Sequence, residues 1–240
     1  MRLNALLESA SAYYRTAGRF ALHFARGKLR GDPAFRAILE QGLLEGCTRL
    51  LDLGAGQGLL AAWLLAARHC HASERPGAWP RGWPAPPQLT SYTGIEINAQ
   101  EVRRARHAFA RDPGMRVQIV HGDIRDLDFG TPDAIVILDV LHYNDCDSQE
   151  RILDRARHAL TPGGLLLLRV GDAEGGAGFT LSKALDRTVA LVRRGRWMPL
   201  QCRPLKEWQA LLRRLGFVTR RVPVRGGRPF TNALLLAQVP

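Results

Sequence analysis

From residue 46 onward, short strand-like runs alternate with helix-like segments, and this alternation constrains the fold more than any other feature of the sequence. The runs are almost continuously apolar, which is typical of strands covered on both faces in a parallel sheet. The segments between them have apolar residues three and four positions apart, which predicts helices. The pattern predicts an α/β fold with a doubly wound, Rossmann-like sheet. The predicted strands are residues 49–53, 92–97, 117–120, 134–140 and 165–170.

The two ends of the chain carry different patterns. Residues 3–24 have the apolar spacing of an amphipathic helix, and the Gly-Asp-Pro sequence that follows predicts a second helix with Asp32 as its N-cap. At the other end, a predicted helix over 203–217 precedes two strand-like segments, "FVTRRVPV" and "NALLLAQV", whose short connection requires an antiparallel pair. We therefore expect an N-terminal helical cap, residues 1–45, and a main domain, residues 46–240.

Two local features complete this outline. Ser148 stands before a helix-like segment and is the predicted N-cap of that helix. Residues 69–91 are rich in Pro, Trp and Gly, which predicts a long loop between the first helix and the second strand of the main domain.

The composition of the chain indicates the cellular compartment in which the protein works. The chain has no run approaching the roughly 18–20 apolar residues of a membrane span, and its first residues lack the order of a signal peptide. Its four scattered cysteines fit reduced thiols better than a disulfide framework. These features predict a soluble, cytoplasmic bacterial-type protein with no membrane span.

The formal net charge of +12 raises the question of a nucleic-acid partner. Lysine occurs at only three positions, so the positive charge is nearly all arginine, and it is spread along a chain rich in Ala, Leu, Gly and Pro. That mixture is typical of a GC-rich genome, so nucleic acid is the less favoured partner. A basic surface still favours an acidic partner.

A turn with three glycines, "DLGAGQG" at residues 52–58, lies between the first strand and first helix of the main domain. Such a turn lets the backbone approach a ligand and leaves N–H groups to face it. The dinucleotide-binding fingerprint, counted from Gly54, requires glycine at position 59. This chain has Leu59 there and glycine at position 58 instead.

The turn resembles the D-x-G-x-G-x-G motif of the class I S-adenosylmethionine (SAM) dependent methyltransferases. Further landmarks of that family follow in order: "GIEIN", "HGDIRDL", "DAIVILDVLHY", "LTPGGLLLL" and "EWQALLRRLGF". The resemblance covers residues 46–240. It implies a seven-stranded, mostly parallel sheet with the last strand inserted antiparallel, and SAM as the cofactor.

The resemblance also assigns roles to individual residues. Glu96 would accept hydrogen bonds from both ribose hydroxyls, since a carboxylate offers two acceptor oxygens to two donors. Asp123 would accept from the adenine amine, with Ile97 and Ile124 against the ring. The other expected cofactor-binding residues are Asp52, Gly54, Ala55, Gly56, Asp139 and Val140.

Residues after the fourth strand would face the transferred methyl group. His142 is the candidate general base, because an imidazole exchanges protons near neutral pH, and the alternative is that its ring only shapes the pocket. Tyr143 could hydrogen-bond to or stack on an aromatic acceptor. Catechol-type methyltransferases hold Mg²⁺ with an acid after the fourth strand and an Asp-Asn pair after the fifth. Asp139 could match the first, but Ala173 follows Asp172, so we expect no metal.

The motif after the fourth strand limits which classes of methyl acceptor fit this chain. The family's exocyclic-amine nucleic-acid enzymes carry a D/N/S-P-P-aromatic motif where this chain has "DVLHY", and its RNA cytosine-C5 enzymes carry Pro-Cys. A small molecule, free or carried on an acyl carrier protein, remains. Two alternatives stay open: an RNA-directed methyltransferase that uses the basic surface, and a SAM-binding protein without turnover.

The helical cap would then cover the acceptor. Its expected pocket walls are Tyr13, Tyr14, Phe20 and Phe24, and Arg26 or Lys28 would bind the methionine carboxylate. The stretch "HFARGKLRGDPAF", residues 23–35, resembles methyltransferases of bacterial aryl-polyene pathways, which methylate aromatic head groups. That resemblance favours an aromatic acceptor, and an acyl carrier protein would be the acidic partner suggested by the net charge.

Overall fold

Three helices precede the sheet in the computed structural model, which describes residues 2–73, 77–110, 115–171, 201–224 and 232–240. They are α1 (Arg2–Ala12), α2 (Arg19–Gly31) and α3 (Pro33–Glu40). The prediction of one helix over residues 3–24 is wrong, because the chain turns between α1 and α2 and Gly18 has a φ of 103°. Asp32 is the N-cap of α3, as predicted, and its Oδ1 accepts the Ala34 N–H at 3.0 Å.

A seven-stranded sheet forms the centre of the molecule, with strand order β3-β2-β1-β4-β5-β7-β6. Strands β1 to β5 are parallel, and β7 is antiparallel to both β5 and β6, so the predicted architecture is confirmed. The strands are β1 (Arg49–Leu53), β2 (Ser91–Glu96), β3 (Arg116–His121), β4 (Ala134–Leu138), β5 (Leu165–Gly171), β6 (Val218–Val222) and β7 (Asn232–Gln238).

Helices cover both faces of the sheet. After the cap, the described helices are α4 (Leu59–Ala72), α5 (Ala99–Phe109), α6 (Cys146–Ala159) and α7 (Leu205–Arg214). The cap helices α1 to α3 pack with α4 and α5 in one hydrophobic cluster, which contains Leu50 and Val136 of the sheet. Helices α6 and α7 cover the opposite face, where alternate residues such as Leu51 and Ile137 point. The division at residue 45 stays a prediction, since the cap shares its core with the sheet.

Two predicted boundaries are wrong by a few residues. Strand β4 ends at Leu138 because the next residue, Asp139, has a φ of 58°, which is incompatible with an extended strand. Helix α6 begins with Asp145 as its N-cap, whose carboxylate accepts the Ser148 N–H at 2.7 Å. Ser148 therefore lies inside the first turn and is not the cap.

The Trp-rich segment lies away from the carboxyl ends of the strands. The prediction that this loop begins at residue 69 is wrong, because helix α4 continues to Ala72. Just before β2, Thr90 donates its N–H to the carbonyl of Thr48, which precedes β1, at 2.8 Å. Trp79 and Trp83 pack edge to face with ring centroids 5.7 Å apart. Within the described ranges, no helix is long and apolar enough to cross a membrane.

Candidate functional site

The glycine turn between β1 and α4 is held in a shape that only glycine adopts easily. Gly54 has a φ of 83°, and a Cβ built on it would lie 2.3 Å from Cγ2 of Val140, which follows β4. The N–H groups of Gly54 and Ala55 donate to the Ile95 carbonyl of β2 at 2.8 and 3.1 Å. Gly56 has a φ of 57°, and a Cβ there would meet no described atom within 4 Å. The turn is therefore packed against β2 and β4 at Gly54 and borders open space at Gly56.

Glu96 ends β2 beside this turn, and two backbone groups orient its carboxylate. Oε2 accepts the Gly56 N–H at 2.9 Å, and Oε1 accepts the Asn98 N–H at 2.7 Å. Each carboxylate oxygen has two lone pairs, so each retains one for a further donor. A pair of neighbouring hydroxyl groups is the donor set that such a fixed carboxylate fits best. The side chain is mostly buried, with 9% of the residue exposed.

Asp52 lies in β1 with its carboxylate buried against β2. It accepts a hydrogen bond from the Tyr92 hydroxyl, and the residue is 5% exposed. Burial raises the pKa of Asp52 to about 7, more than the Tyr92 hydrogen bond lowers it, and the nearby Glu96 charge adds to the rise. The structure thus gives Asp52 a buried partner in the sheet, and its contact with a cofactor stays a prediction.

The residues expected around an adenine ring follow β2 and β3. Ile97 is 41% exposed, so its apolar side chain is available to a flat ligand next to Glu96. Asp123 pairs with Arg125 at 2.6 Å. Ile124 is 7% exposed and packs into the cluster beneath α6. Ile97 fits the expected contact best, and the roles of Asp123 and Ile124 stay predictions.

The segment after β4 makes a sharp corner at Asp139. Its carboxylate binds the Arg169 guanidinium of β5, through Nε at 2.8 Å and through Nη2, and accepts from the Asn232 amide at 3.3 Å. The ammonium of Lys28 lies 3.9 Å from the same carboxylate. Arg26 pairs instead with Glu8 at 2.7 Å. Of the two cations expected near the methionine carboxylate, Lys28 is the one that reaches this corner.

His142 and Tyr143 lie in a short 3-10 helix, Leu141–Tyr143, directly after the corner. The two rings contact each other with centroids 4.1 Å apart, and His142 is 7% exposed. The His142 carbonyl accepts the Gln201 N–H at 2.9 Å, which joins this turn to the segment before α7. The turn is therefore fixed at the backbone, and its imidazole is nearly enclosed.

Gln149 of α6 stabilises this turn, although it lies outside the motifs that carry the family resemblance. Its side-chain amide lies 3.2 Å from the Leu141 carbonyl and 3.0 Å from the Asn144 carbonyl, and Arg203 donates to its Oε1 at 3.0 Å. The residue is fully buried. The available sequence signal was its spacing, since Gln149 shares the apolar stripe of Ile152 in α6 and a polar residue there needs buried partners.

The helical cap supports the glycine turn from behind. The Tyr14 hydroxyl donates to the Gln57 carbonyl at 3.0 Å, and the Gln57 side-chain amide donates to the Ala21 carbonyl at 3.1 Å. Tyr14 is completely buried, so it holds the turn and does not line an open pocket, whereas Phe20 is 63% exposed. Gln57 occupies a variable position of the glycine motif, so the motif alone assigns it no role.

The described part of the chain brings together no group of three or more His, Cys, Asp or Glu side chains that could hold a metal ion. Asp172 and Ala173, on which the expectation about metal rested, lie outside the described residues.

Comparisons with known proteins agree with the fold. Residues 51–166 match the family model described as a methyltransferase domain. A stretch of 84 residues is 33% identical to carboxy-S-adenosyl-L-methionine synthase of Chromohalobacter salexigens, covering 35% of this chain and 31% of that protein. The matched part thus spans about a third of the length of this curated relative.

Two solved structures have the same fold at low identity. An O-methyltransferase family protein from Burkholderia thailandensis has a TM-score of 0.63 and 21% identity, over 99% of this chain and 67% of its own. Human N-acetylserotonin methyltransferase, solved in complex with SAM, has a TM-score of 0.59 and 18% identity, over 97% of this chain and 59% of its own.

Proposed function

We propose that this chain is a class I SAM-dependent methyltransferase, and that it transfers a methyl group from SAM to a hydroxyl oxygen of a small-molecule acceptor. The two structures with this fold, an O-methyltransferase family protein and an N-acetylserotonin methyltransferase, support small-molecule transfer. An aromatic acceptor, free or held on an acyl carrier, is the finer proposal, and the resemblance of residues 23–35 to aryl-polyene enzymes stays a prediction.

The carboxylate of Glu96 is the observation that carries this proposal. Its two oxygens are fixed by the N–H groups of Gly56 and Asn98, and each keeps a lone pair for one of two adjacent ribose hydroxyls. The open space beside Gly56 fits a ligand that approaches the backbone closely, and exposed Ile97 fits the face of an adenine ring. These residues would hold SAM at the carboxyl ends of β1 and β2, where open α/β sheets bind their ligands.

When bound, SAM supplies an activated methyl carbon on a positively charged sulfur. The protein then has to place the acceptor oxygen, exclude water and receive the hydroxyl proton. His142 is the proposed general base, because its imidazole lies in the fixed turn after β4 and is almost enclosed. Tyr143, whose ring contacts that of His142, is the proposed partner for an aromatic acceptor.

The decisive experiment measures SAM affinity calorimetrically for the wild type and for Glu96→Ala. We expect the substitution to weaken binding by about 100-fold or more, because two hydrogen bonds to a charged acceptor are lost. Glu40→Ala is the matched control, since Glu40 lies in α3 and pairs with Arg36. Equal affinity in wild type and Glu96→Ala would contradict the proposed site.

Transfer is then followed with methyl-labelled SAM and hydroxylated aromatic acceptors, free and attached to an acyl carrier protein. Label in the acceptor supports the proposed activity and separates free from carrier-bound acceptors. SAM binding without transfer to any acceptor would favour a SAM-binding protein without turnover. Retention of RNA that collapses steeply with salt, together with label in RNA, would favour the RNA-directed alternative.

A further inference from the structure

Arg169 joins three separate parts of the molecule through two carboxylates, of which Asp32 is buried and Asp139 is partly exposed. It lies near the end of β5, and its side chain is 8% exposed. Both oxygens of Asp139, after β4, bind its guanidinium, and Nη1 binds Oδ1 of Asp32, the N-cap of α3 in the helical cap. Lys28 of α2 pairs with Asp32 at 2.8 Å. Two cations and two carboxylates thus form a neutral array between the cap and the carboxyl ends of β4 and β5.

The array is held together, because leaving the buried Arg169 or Asp32 without its partners would be costly. Although burial opposes the charge, Asp139 and Asp32 raise the pKa of Arg169 above its ordinary value. Burial likewise opposes ionisation of Asp32, but Arg169 and Lys28 lower the pKa of that carboxyl below its usual range. Arg169 and Asp32 are therefore both charged around neutral pH.

Asp139 needs such support because its backbone is strained. Among the residues that the structure describes, it is the only non-glycine residue with a positive φ, 58°. Such a conformation is unfavourable for a residue that carries a Cβ, and it persists only where the surroundings impose it. Arg169 imposes it twice: its guanidinium binds the Asp139 carboxylate, and its carbonyl accepts the Asp139 N–H at 3.3 Å.

The strained corner determines the position of the next residue. Val140 follows Asp139 and its side chain packs so closely on Gly54 that a Cβ there would lie 2.3 Å from Cγ2. The glycine turn carries the Gly56 N–H that orients Glu96. A contiguous path of contacts therefore leads from Arg169 through Asp139 and Val140 to the proposed cofactor crevice.

We propose that Arg169 is a positioning residue for this crevice: it fixes the corner after β4 and fastens the helical cap to that corner, so that cofactor affinity depends on a side chain that need not touch the cofactor. The inference rests on the proposed function only for the identity of the cofactor. Its structural half, that Arg169 fixes the corner and the cap, is independent of that identity.

The test compares Arg169→Met, Arg169→Lys and Asp32→Asn with the wild type. Calorimetry measures affinity for SAM and for its demethylated product, S-adenosylhomocysteine, and amide hydrogen exchange is followed at residues 139–141 and 19–31. Arg49→Met is the control, because Arg49 also pairs with an aspartate, Asp133 at 2.8 Å, but does so where β1 begins, at the other end of the strand from the glycine turn.

We expect Arg169→Met to weaken the binding of both ligands by about 10- to 100-fold and to speed amide hydrogen exchange at both segments, because a displaced corner shifts the ligand contacts. Arg169→Lys should recover part of the affinity, since it keeps the charge and loses the fork that binds two oxygens. Asp32→Asn should speed exchange mainly at residues 19–31. Arg49→Met should change neither affinity nor exchange at these segments.

Folded Arg169→Met with affinity within about twofold of wild type would overturn the inference, since a displaced corner is expected to cost far more. If that variant does not fold, Arg169→Lys decides: weaker binding with local exchange supports the inference, and unchanged binding overturns it. If the wild type itself binds neither ligand, the proposed function fails. Amide hydrogen exchange in the ligand-free proteins then tests whether Arg169 fixes the corner and the cap. Unchanged exchange at residues 139–141 in Arg169→Met would overturn that claim.

Discussion

Replacing Gly56 by Ala separates the strain of the glycine turn from the space that the turn leaves for a ligand. Gly56 has a φ of 57°, and the added methyl group would meet no described atom within 4 Å. Gly46, in the turn before β1, offers a matched control: its φ is 77°, and a Cβ there also meets nothing described within 4 Å. The two positions therefore share the same backbone penalty and the same lack of clashes.

The expected magnitudes follow from this match. An alanine in the left-handed region costs about 1–2 kcal/mol, so Gly46→Ala and Gly56→Ala should each lower the free energy of unfolding by about that amount. Only the methyl group at position 56 would project into the proposed crevice. We expect Gly56→Ala to weaken SAM binding by at least about tenfold, which is about 1.4 kcal/mol, and Gly46→Ala to leave it unchanged.

Urea denaturation measures the first quantity, and calorimetric titration with SAM measures the second. Titrations are run well below the unfolding transition, so that loss of folded protein does not imitate loss of affinity. Equal SAM affinity in the two variants would refute the reasoning, because the open side of Gly56 would then not face the ligand. A much larger loss of stability in Gly56→Ala than in Gly46→Ala would also count against it.

Two further predictions concern ionisable groups. The pKa of Asp52 is raised to about 7 in the folded protein, whereas the unfolded chain releases this proton near pH 4. The contribution of Asp52 to stability therefore falls as pH rises from about 4 to about 7, by about 4 kcal/mol at most. Asp52→Asn should flatten that part of the pH profile of unfolding, and identical profiles would contradict the burial argument. His142→Ala should retain SAM affinity but lower methyl transfer by about 100- to 10,000-fold. Full turnover would reduce His142 to a wall of the pocket.

The sequence predicted the sheet well because its signals are local. Continuous apolar runs, turn residues and the glycine motif report conformations that short segments adopt, so β1 was predicted to the residue and β5 to within one residue. Glu96 could be predicted for the same reason, since it ends a recognisable strand. The prediction of one helix over residues 3–24 was wrong because apolar spacing continues across the break at Gly18.

Helix ends and buried polar partners were harder to predict. Ser148 and Asp145 are both good N-caps by residue type, and only the path of the chain after the 3-10 helix selects Asp145. Gln149 is a polar residue on the apolar stripe of its helix, but nothing in its neighbours along the chain indicated the carbonyls that it binds.

The sequence by itself therefore determined the order of the strands and the glycine turn that lies beside Glu96, because backbone preference and apolar periodicity act over a few residues. Tertiary structure alone decided that Arg169 meets Asp139, 30 residues away, and Asp32, 137 residues away. Such pairs depend on how the helical cap packs on the strand ends. Leaving water costs these charges free energy, and only their mutual attraction in the packed fold offsets that cost, which no short stretch of the chain encodes.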